Sequence, residues 1–295
     1  MMKVNNIMEK KYELVDVNDP NGHFRIRALR SFGNVKVGDL GGFVQSEDNL
    51  SHEGNCWIYD DARVYENAIV YENAQVYRNA RVYGNAIVYE NAQVYGTTLV
   101  YENAQVYGDA QVYGNARVYG TTLVYENAQV YGAARVYGNA RVYGNARVSD
   151  NAWVSGDAQV YGDAQVYGNA QVYGNAWVYG NAWVYGNAWV YGNACVYGDA
   201  QVYDNAWVYG NACVYGDAQV YDNARVYGDA RVYGDTQVYG DARVSGNAQV
   251  YGNAWVSDNA RVSGNAQVCL KASYTKGRFV GGDDSGKITD ITDKK

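Results

Sequence analysis

Few side chains in this sequence are of a type that could carry out chemistry. Two histidines, His23 and His52, are candidate general bases, because an imidazole exchanges protons close to neutral pH. Both precede the regular part of the sequence. The regular part has no insertion that could form a catalytic loop. A structural role for His52 in the stretch "LSHEGN" is the alternative, because six-residue spacing places it in register with inward aliphatic residues.

The four cysteines are the other reactive groups, and they lie at Cys56, Cys195, Cys213 and Cys269. Their wide spacing does not resemble a disulfide framework and favours a reducing cytoplasm. Cys195 and Cys213 lie 18 residues apart, a spacing that would permit a disulfide, although a small side chain tolerated at both positions is the favoured interpretation. Two thiolates do not complete a tetrahedral zinc site, and the Gly-Asn pairs lack the spacing of a phosphate-binding loop. We therefore expect no catalytic residue, metal or cofactor.

Composition excludes several classes of protein. The 295 residues include 32 Tyr and 34 Gly but only one Pro, and the net charge is −7. A negative chain is a poor binder of nucleic acid by phosphate neutralisation, so no direct nucleic-acid binding is expected. No run of 18 apolar residues predicts a membrane span, and the N-terminus does not resemble a signal peptide. The prediction is a cytoplasmic protein without a membrane partner.

A six-residue period dominates the sequence. From Ile58 to Val268 an aliphatic residue recurs at every sixth position, which defines 36 hexads over residues 56–271. Most hexads read Ala-x-Val-Tyr followed by a pair such as Gly-Asn or Gly-Asp. Alternation places Ala and Val on one face and x and Tyr on the other, which predicts a short strand. The following pair, called the first and second corner residues below, suits a turn.

The variable x position indicates how many strands complete one turn of a solenoid. Read at every third hexad, one series is mostly Gln, from Gln75 to Gln129 and again at Gln201, Gln219 and Gln237. A second series is rich in Arg, and a third, which includes Cys195 and Cys213, is more apolar. Because such columns emerge only when every third hexad is read, three strands form one turn and 36 hexads form twelve turns.

The unit "VYGNAQ" resembles the hexapeptide repeat of left-handed β-helices. The stretch "FGNVKVGDLGGFVQSEDNLSHEGNCWIYDDA", residues 32–62, is similar to the N-terminal region of YdcK-like proteins of bacteria and phages. The resemblance implies an all-β fold, a left-handed parallel β-helix (β-solenoid) of about twelve triangular 18-residue coils with terminal caps. It also implies a bacterial or phage source.

Three segments are expected. Residues 1–55 form an N-terminal cap, in which "YELVDV" and "HFRIRALRSF" read as strands around a turn at "NDPNG". Residues 56–271 form the repeat. Residues 272–295 form a C-terminal cap, a short closing hairpin followed by a polar tail. Caps are needed because solenoid ends expose unpaired strand edges.

The outward surface offers the best candidate site. Between Arg147 and Arg225 there is no Lys or Arg, whereas seven Asp and five of the seven Trp lie there. Exposed aromatic residues in an acidic setting are typical of a protein-binding patch, and drift of a copied repeat is the alternative. The candidate partner-binding residues are Trp153, Trp177, Trp183, Trp189, Trp207, Asp199, Asp204, Asp217 and Asp222. Trp189 and Trp207 should stack on one face.

The predicted function is therefore a non-enzymatic, rigid interaction or scaffold protein. Its faces would bind a protein partner, or the chain itself as a homo-oligomer such as a trimer. If phage-encoded, it would act on a host protein in the host cytoplasm. Three alternatives stay open. The resemblance implies an acyltransferase-like hexapeptide-repeat enzyme that uses His23 or His52, the acidic stretch suggests a mimic of a charged polymer such as nucleic acid, and the aromatic ladders suggest a carbohydrate or ice binder.

Overall fold

The computed structural model describes residues 9–269, 273–280 and 289–291. The chain divides into two compact units, Met1–Gly132 and Ala133–Lys295, called here the N-terminal and C-terminal units. Both consist of short strands joined by tight corners, with no α-helix among the described residues. Nor does any helix in this part of the chain reach the length and apolar character needed to cross a bilayer.

The N-terminal unit begins with three longer strands and continues as solenoid turns. The longer strands are Tyr12–Val15, Phe24–Ala28 and Leu40–Val44, followed by a 3-10 helix at Glu47–Asn49. Three sets of parallel strands follow. One set is Trp57–Ile58, Gln75–Arg78, Gln93–Gly96, Gln111–Val112 and Gln129–Val130; the second is Arg63–Val64, Arg81–Val82, Leu99–Val100 and Arg117–Val118; the third is Ile69–Val70, Ile87–Val88, Gln105–Val106 and Leu123–Val124.

The C-terminal unit repeats this arrangement in three sheets, each named here by its outward residues. The Trp–Arg sheet holds Arg135–Val136, Trp153–Val154, Gln171–Gly174, Trp189–Gly192, Trp207–Val208, Arg225–Val226, Arg243–Val244, Arg261–Ser263, Arg278–Val280 and Thr289–Ile291. The Cys sheet holds Arg141–Val142, Gln159–Val160, Trp177–Val178, Cys195–Gly198, Cys213–Gly216, Arg231–Tyr233, Gln249–Val250 and Gln267–Val268. The Gln sheet holds Arg147–Val148, Gln165–Val166, Trp183–Val184, Gln201–Val202, Gln219–Val220, Gln237–Val238, Trp255–Val256 and Ser273–Tyr274.

The register of the strands confirms three hexads per turn. Gln93 pairs with Gln111 in the N-terminal unit, and Gln201 pairs with Gln219 in the C-terminal unit, so the partners lie three hexads apart along the chain. Ser273–Tyr274 pairs with Trp255–Val256 and so begins a thirteenth turn beyond the twelve expected. The fold is an all-β parallel β-solenoid, as predicted. Its left-handed sense stays an expectation from the resemblance.

Inside each unit the core is a thin column of Ala and Val. These side chains are fully buried in nearly every hexad, because alternation turns both toward the interior. Where Thr replaces the inner Ala, its hydroxyl is satisfied locally. Thr98 donates to the carbonyl of Tyr95 at 2.7 Å, and Thr236 donates to that of Tyr233 at 2.6 Å. Burial of a hydroxyl costs little when its hydrogen bond is made.

The outward tyrosines form ladders within each unit. Tyr95 and Tyr113 stack at 4.9 Å with ring planes 2° apart, and Tyr185 and Tyr203 stack at 4.8 Å. The Tyr185 hydroxyl also donates to Gln201 on the next turn, at 3.4 Å. The Tyr and Gln columns therefore support each other on the outer surface, where the small inner side chains bury little area per turn.

The cap at the N-terminus differs from expectation at His52. Val44 pairs with Val64, and Leu50 bridges to Val70, so the inner column continues into the cap. The turn that joins the cap to the repeat is two residues longer than the three hexads of a regular turn. The two additional residues lie between Leu50 and Ile58. The placement of His52 in the inward aliphatic register was therefore wrong, because Leu50 occupies that position.

The two predicted cap strands are present, and they pair antiparallel with each other. Trp57 occupies an outward x position yet is only 1 % exposed. Tyr12 and Phe32 of the cap cover it, with ring centroids 6.2 and 5.3 Å away. The cap therefore shields the first turn of the repeat.

At the C-terminal end, Arg278–Val280 pairs parallel with Arg261–Ser263 and antiparallel with Thr289–Ile291. The antiparallel pair corresponds to the expected hairpin. Residues 270–272, 281–288 and 292–295, which include the predicted polar tail, lie outside the described residues.

Candidate protein-binding surface

The centre of the candidate site is a pair of stacked tryptophans in the C-terminal unit. Trp189 and Trp207 occupy x positions of adjacent strands and pair in register. Their ring centroids are 5.0 Å apart and their planes differ by 2°. The predicted stacking is confirmed. The strand ladder fixes this geometry, because outward side chains at identical positions lie one strand spacing apart.

Two tyrosines hold the tryptophan rings in place. Tyr173 meets Trp189 edge to face at 6.4 Å and 74°, and Tyr191 meets Trp207 at 6.4 Å and 72°. Both tryptophans are half-buried, because the stacked rings cover each other and the two tyrosines cover their flanks. An aromatic surface held by its neighbours loses little conformational entropy when it binds a partner.

The same column changes from aromatic to cationic immediately after Trp207. The Arg225 guanidinium lies 4.8 Å from the centre of the Trp207 ring, within the range of a cation–π interaction. Arg243 and Arg261 follow in register. A count of charged residues along the chain does not reveal this contact, because Arg225 directly follows the stretch without Lys or Arg. The x positions of every third hexad do reveal it, since Arg225 is the next member of the column after Trp207.

A shallow groove runs beside the tryptophan pair, along the corner that joins the Gln sheet to the Trp–Arg sheet. Its floor is a ladder of side-chain amides, in which Asn187 donates to Asn205 at 3.2 Å and Asn205 donates to Asn223 at 3.4 Å. Trp189 and Trp207 flank this ladder on one side. The carboxylates of the corner flank it on the other.

Those carboxylates are Asp204 and Asp222, whereas Asp241 ends the amide ladder itself, where it accepts a hydrogen bond from Asn223 at 3.3 Å. Asp204 and Asp222 are first corner residues with φ of 56° and 57°, a left-handed conformation that Asp tolerates better than most residues. Asp222 also accepts a hydrogen bond from the backbone N–H of Gly240, at 3.1 Å. The acidic residues thus stabilise the corner and also give the groove negative charge.

The other predicted tryptophans lie elsewhere on the C-terminal unit. Trp153 lies two turns before Trp189 in the same sheet, separated from it by Gln171. Trp177 belongs to the Cys sheet. Trp183 belongs to the Gln sheet, where it lies between the glutamines of the two adjacent turns. These three tryptophans are the more exposed ones, at 36 to 43 %. The five tryptophans are therefore divided among three sheets, and of these five only Trp189 and Trp207 are stacked together.

Asp199 and Asp217 lie at a different corner, which follows the Cys sheet. Both are second corner residues and are exposed. Asp199 accepts a hydrogen bond of 2.8 Å from the side-chain amide of Asn181. These residues do not line the groove. Of the nine predicted residues, the groove brings together Trp189, Trp207, Asp204 and Asp222.

His23 lies in the N-terminal cap. The Arg63 guanidinium donates to Nδ1 of His23 at 3.0 Å and forms a two-bonded ion pair with Asp19, at 2.8 and 3.0 Å. Burial lowers the pKa of His23, the charge of Arg63 lowers it further, and Asp19 opposes both. The hydrogen bond from Arg63 holds the pKa of Asp19 well below its usual range. His23 is therefore part of a polar cluster around Arg63.

His52 packs against the first strand of the cap. Its ring stacks on Tyr12 at 4.3 Å, and its Nδ1 accepts a hydrogen bond from the backbone N–H of Lys11 at 3.2 Å. Burial lowers the pKa of His52, which favours the neutral ring. Its Nε2 lies 3.8 Å from the Glu47 carboxylate, too far for a hydrogen bond.

A buried lysine beside His52 was not predicted. Lys11 is fully buried, and its Nζ donates to the Cys56 carbonyl at 2.9 Å, the Cys56 Sγ at 3.1 Å and the Glu53 carbonyl at 3.2 Å. Burial lowers the pKa of Lys11 and raises that of Cys56. No sequence signal distinguishes this lysine from its neighbour Lys10. Among the described residues, no group of three or more His, Cys, Asp or Glu could hold a metal ion.

Comparison with protein families places these features in a class. The model for the YdcK β-solenoid repeat matches the chain at 13 overlapping or separate segments, which together cover more than half of it. The segments are 58–72, 74–90, 80–96, 110–126, 140–156, 158–174, 164–180, 170–186, 200–216, 218–234, 224–240, 236–252 and 254–269. The chain belongs to the YdcK β-solenoid repeat family. A search of curated proteins gave no significant match.

Proposed function

We propose that this protein is a non-enzymatic solenoid scaffold that binds an extended, basic segment of a protein partner in the groove beside Trp189 and Trp207. The observation that carries the proposal is the in-register tryptophan pair flanked by the carboxylates of Asp204 and Asp222. Stacked aromatic rings supply apolar contact area, and the row of carboxylates selects positive charge.

The chemistry of the groove favours Arg or Lys in the partner. Arg225 shows that a guanidinium packs well on a tryptophan of this column, and the exposed part of the Trp189 ring would offer a partner arginine or lysine an aromatic contact. Arg225 lines the groove at its Trp207 end, and residues 148–224 supply no further Lys or Arg. The basic side chains of the partner would therefore lie toward the Trp189 end, beside Asp204. The Asn ladder between the two features offers amide groups to the backbone of an extended chain.

The expected setting follows from the family resemblance, a bacterial cytoplasm or the host cytoplasm of a phage. The partner would then come from that compartment. A second copy of this chain is the other candidate partner, because Arg225, Arg243 and Arg261 form a basic column of their own.

The test uses a labelled, arginine-rich peptide as the probe and measures its affinity by fluorescence anisotropy. The groove variant is Trp189→Ala with Trp207→Ala. Its matched control is Trp177→Ala with Trp183→Ala, which removes two tryptophans from other sheets. We expect the groove variant to weaken binding at least tenfold and the control to stay within about twofold, since buried aromatic anchors dominate binding energy.

A second pair of variants separates position from net charge. Asp204→Asn with Asp222→Asn removes two charges from the groove, and Asp199→Asn with Asp217→Asn removes two from another corner. Equal loss in both pairs would reduce the effect to bulk electrostatics and overturn the proposal. So would acyl-CoA turnover that disappears in His23→Ala or His52→Ala, because it would make the protein an acyltransferase. Light scattering, with and without peptide, distinguishes binding of a partner from self-association.

A further inference from the structure

Two thiols lie next to each other on the Cys sheet of the C-terminal unit. Cys195 and Cys213 pair in register on strands Cys195–Gly198 and Cys213–Gly216. Both are free and half-buried. Neighbouring strands lie about 4.8 Å apart, and a disulfide needs Cα atoms roughly 4.4 to 6.8 Å apart. The backbone therefore already holds the two residues at a separation that suits a disulfide.

The ladder on either side keeps this geometry fixed. The pairing continues from the cysteines through Val, Tyr and Gly of both strands without a shift of register. Tyr197 and Tyr215 stack at 4.8 Å with planes 2° apart. Since the strands are held over four residues, the two sulfur atoms can meet by side-chain rotation.

The surroundings make the two thiols unequal. Interaction with the Cys195 thiol lowers the pKa of Cys213 to about 7, with the charge of Arg231 acting in the same direction and burial against it. The same interaction, together with burial, raises the pKa of Cys195, whose thiol donates to the Asn193 carbonyl at 3.8 Å. Arg231 is the next outward residue of the column. Cys213 is thus the more acidic of the two thiols and the one that forms a thiolate first.

We propose that Cys195 and Cys213 form a reversible intramolecular disulfide when the protein meets a peroxide. The Cys213 thiolate attacks one peroxide oxygen, the O–O bond breaks, and hydroxide leaves to be protonated to water. Cys195 then attacks the sulfenic sulfur of Cys213, and its proton leaves with the hydroxyl group as a second water. Two thiols and one hydrogen peroxide give one disulfide and two waters, and a dithiol reductant restores the thiols.

The other cysteines provide internal comparisons. Cys56 is fully buried and hydrogen-bonded to Lys11, so a peroxide has poor access to it. Cys269 occupies a Tyr position, where it hydrogen-bonds Tyr251. Trp177 precedes Cys195 in the same column, so its fluorescence should be quenched when the disulfide forms beside it.

The test treats the reduced full-length chain with one equivalent of hydrogen peroxide, followed by alkylation and trypsin. Because residues 148–224 lack Lys and Arg, both cysteines fall in one tryptic peptide, 148–225. We expect this peptide to lose about 2 Da, the mass of two hydrogens, and to resist alkylation until it is reduced. Cys269→Ser should behave like the unmodified sequence.

Two serine variants assign the roles. Cys195→Ser should leave a sulfenic acid on Cys213 that dimedone traps. In Cys213→Ser, the remaining Cys195 should react with peroxide at least tenfold more slowly than Cys213 does in Cys195→Ser. Three results would overturn the proposal: full alkylation of both cysteines after peroxide, a disulfide-linked dimer as the main product, or oxidation of Cys213 beyond sulfenic acid with Cys195 unchanged. Circular dichroism of each variant checks that the solenoid is intact.

Discussion

The side-chain amide of Asn181 donates a hydrogen bond of 2.8 Å to the carboxylate of Asp199, one turn further along the chain. The same contact recurs where Asn211 donates to Asp229 at 2.8 Å. Asn at the second corner position both accepts and donates, whereas an ionised Asp only accepts. Each Asp therefore ends a ladder of amides. Position 217, the next one in the column after Asp199, is again Asp.

The first prediction concerns this column. Asp199, Asp217 and Asp235 already follow one another on successive turns, so Asn181→Asp would extend this run to five carboxylates, from Asp163 to Asp235, and remove the amide donor. We expect a loss of about 1 kcal/mol in the free energy of unfolding, because like charges directly opposite each other are destabilising. Asp199→Asn should instead be neutral or slightly stabilising, since its amide can donate to Asp217. Thermal unfolding at low and high salt checks both, and identical midpoints for the two variants would contradict the ladder argument.

The second prediction concerns the left-handed corners. Gly186 has a φ of +68°, and a Cβ there would lie 2.8 Å from the backbone nitrogen of Asp204 on the next turn. Gly186→Ala should cost about 1 to 3 kcal/mol, from backbone strain and the close approach. Gly186→Asn introduces the same Cβ but favours a positive φ and can accept the N–H of residue 204, as Asp222 does for Gly240. Urea unfolding should therefore show a smaller loss for Asn, and a greater loss for Asn would contradict this account of the corner.

The third prediction concerns pH. Burial, aided by stacked tyrosine neighbours, raises the pKa of Tyr89, Tyr179 and Tyr203 to about 12. Between about pH 10, where an unfolded tyrosine ionises, and pH 12, the folded chain binds more protons than the unfolded chain. Stability should therefore be fully present below pH 10 and fall as pH rises through this window.

Parallel titrations of tyrosinate absorbance and far-UV circular dichroism measure this effect. We expect both signals to change together above pH 10, and Tyr179→Phe to move the transition to higher pH, because it removes one ionisable group and keeps the stacked ring. Tyrosines that ionise near pH 10 without loss of structure would rule out the predicted coupling.

Much of the fold can be predicted from the sequence, because one short pattern specifies both burial and register. The Ala and Val positions predict the inner column, and the identity of x residues in every third hexad predicts which strands pair. Local hydrogen bonding also accounts for apparent exceptions such as Thr98. The register is strongly specified because a slip of one residue would turn every Val outward.

The candidate site could be predicted only in part. Stacking of Trp189 and Trp207 follows from the period. The same period also separates Trp177 and Trp183 from this pair. A search for a stretch without Lys or Arg instead places all five tryptophans in one group, because it ignores the period. The burial of Trp57 and Lys11 depends on how the cap folds over the first turn, and no periodic pattern encodes that contact.

The three-strand turn also has a consequence for how such a sequence can change in length. Any hexad can replace another in the interior, because nearly every one supplies Ala and Val. On the outside, removal of a hexad between Trp207 and Arg225, such as residues 212–217, would carry each later column to the next sheet, so that Arg225 would no longer follow Trp207. Removal of three consecutive hexads would leave every column on its own sheet. The interior therefore tolerates the gain or loss of single hexads. The outer pattern that a partner would contact is kept only when whole turns of three hexads are gained or lost.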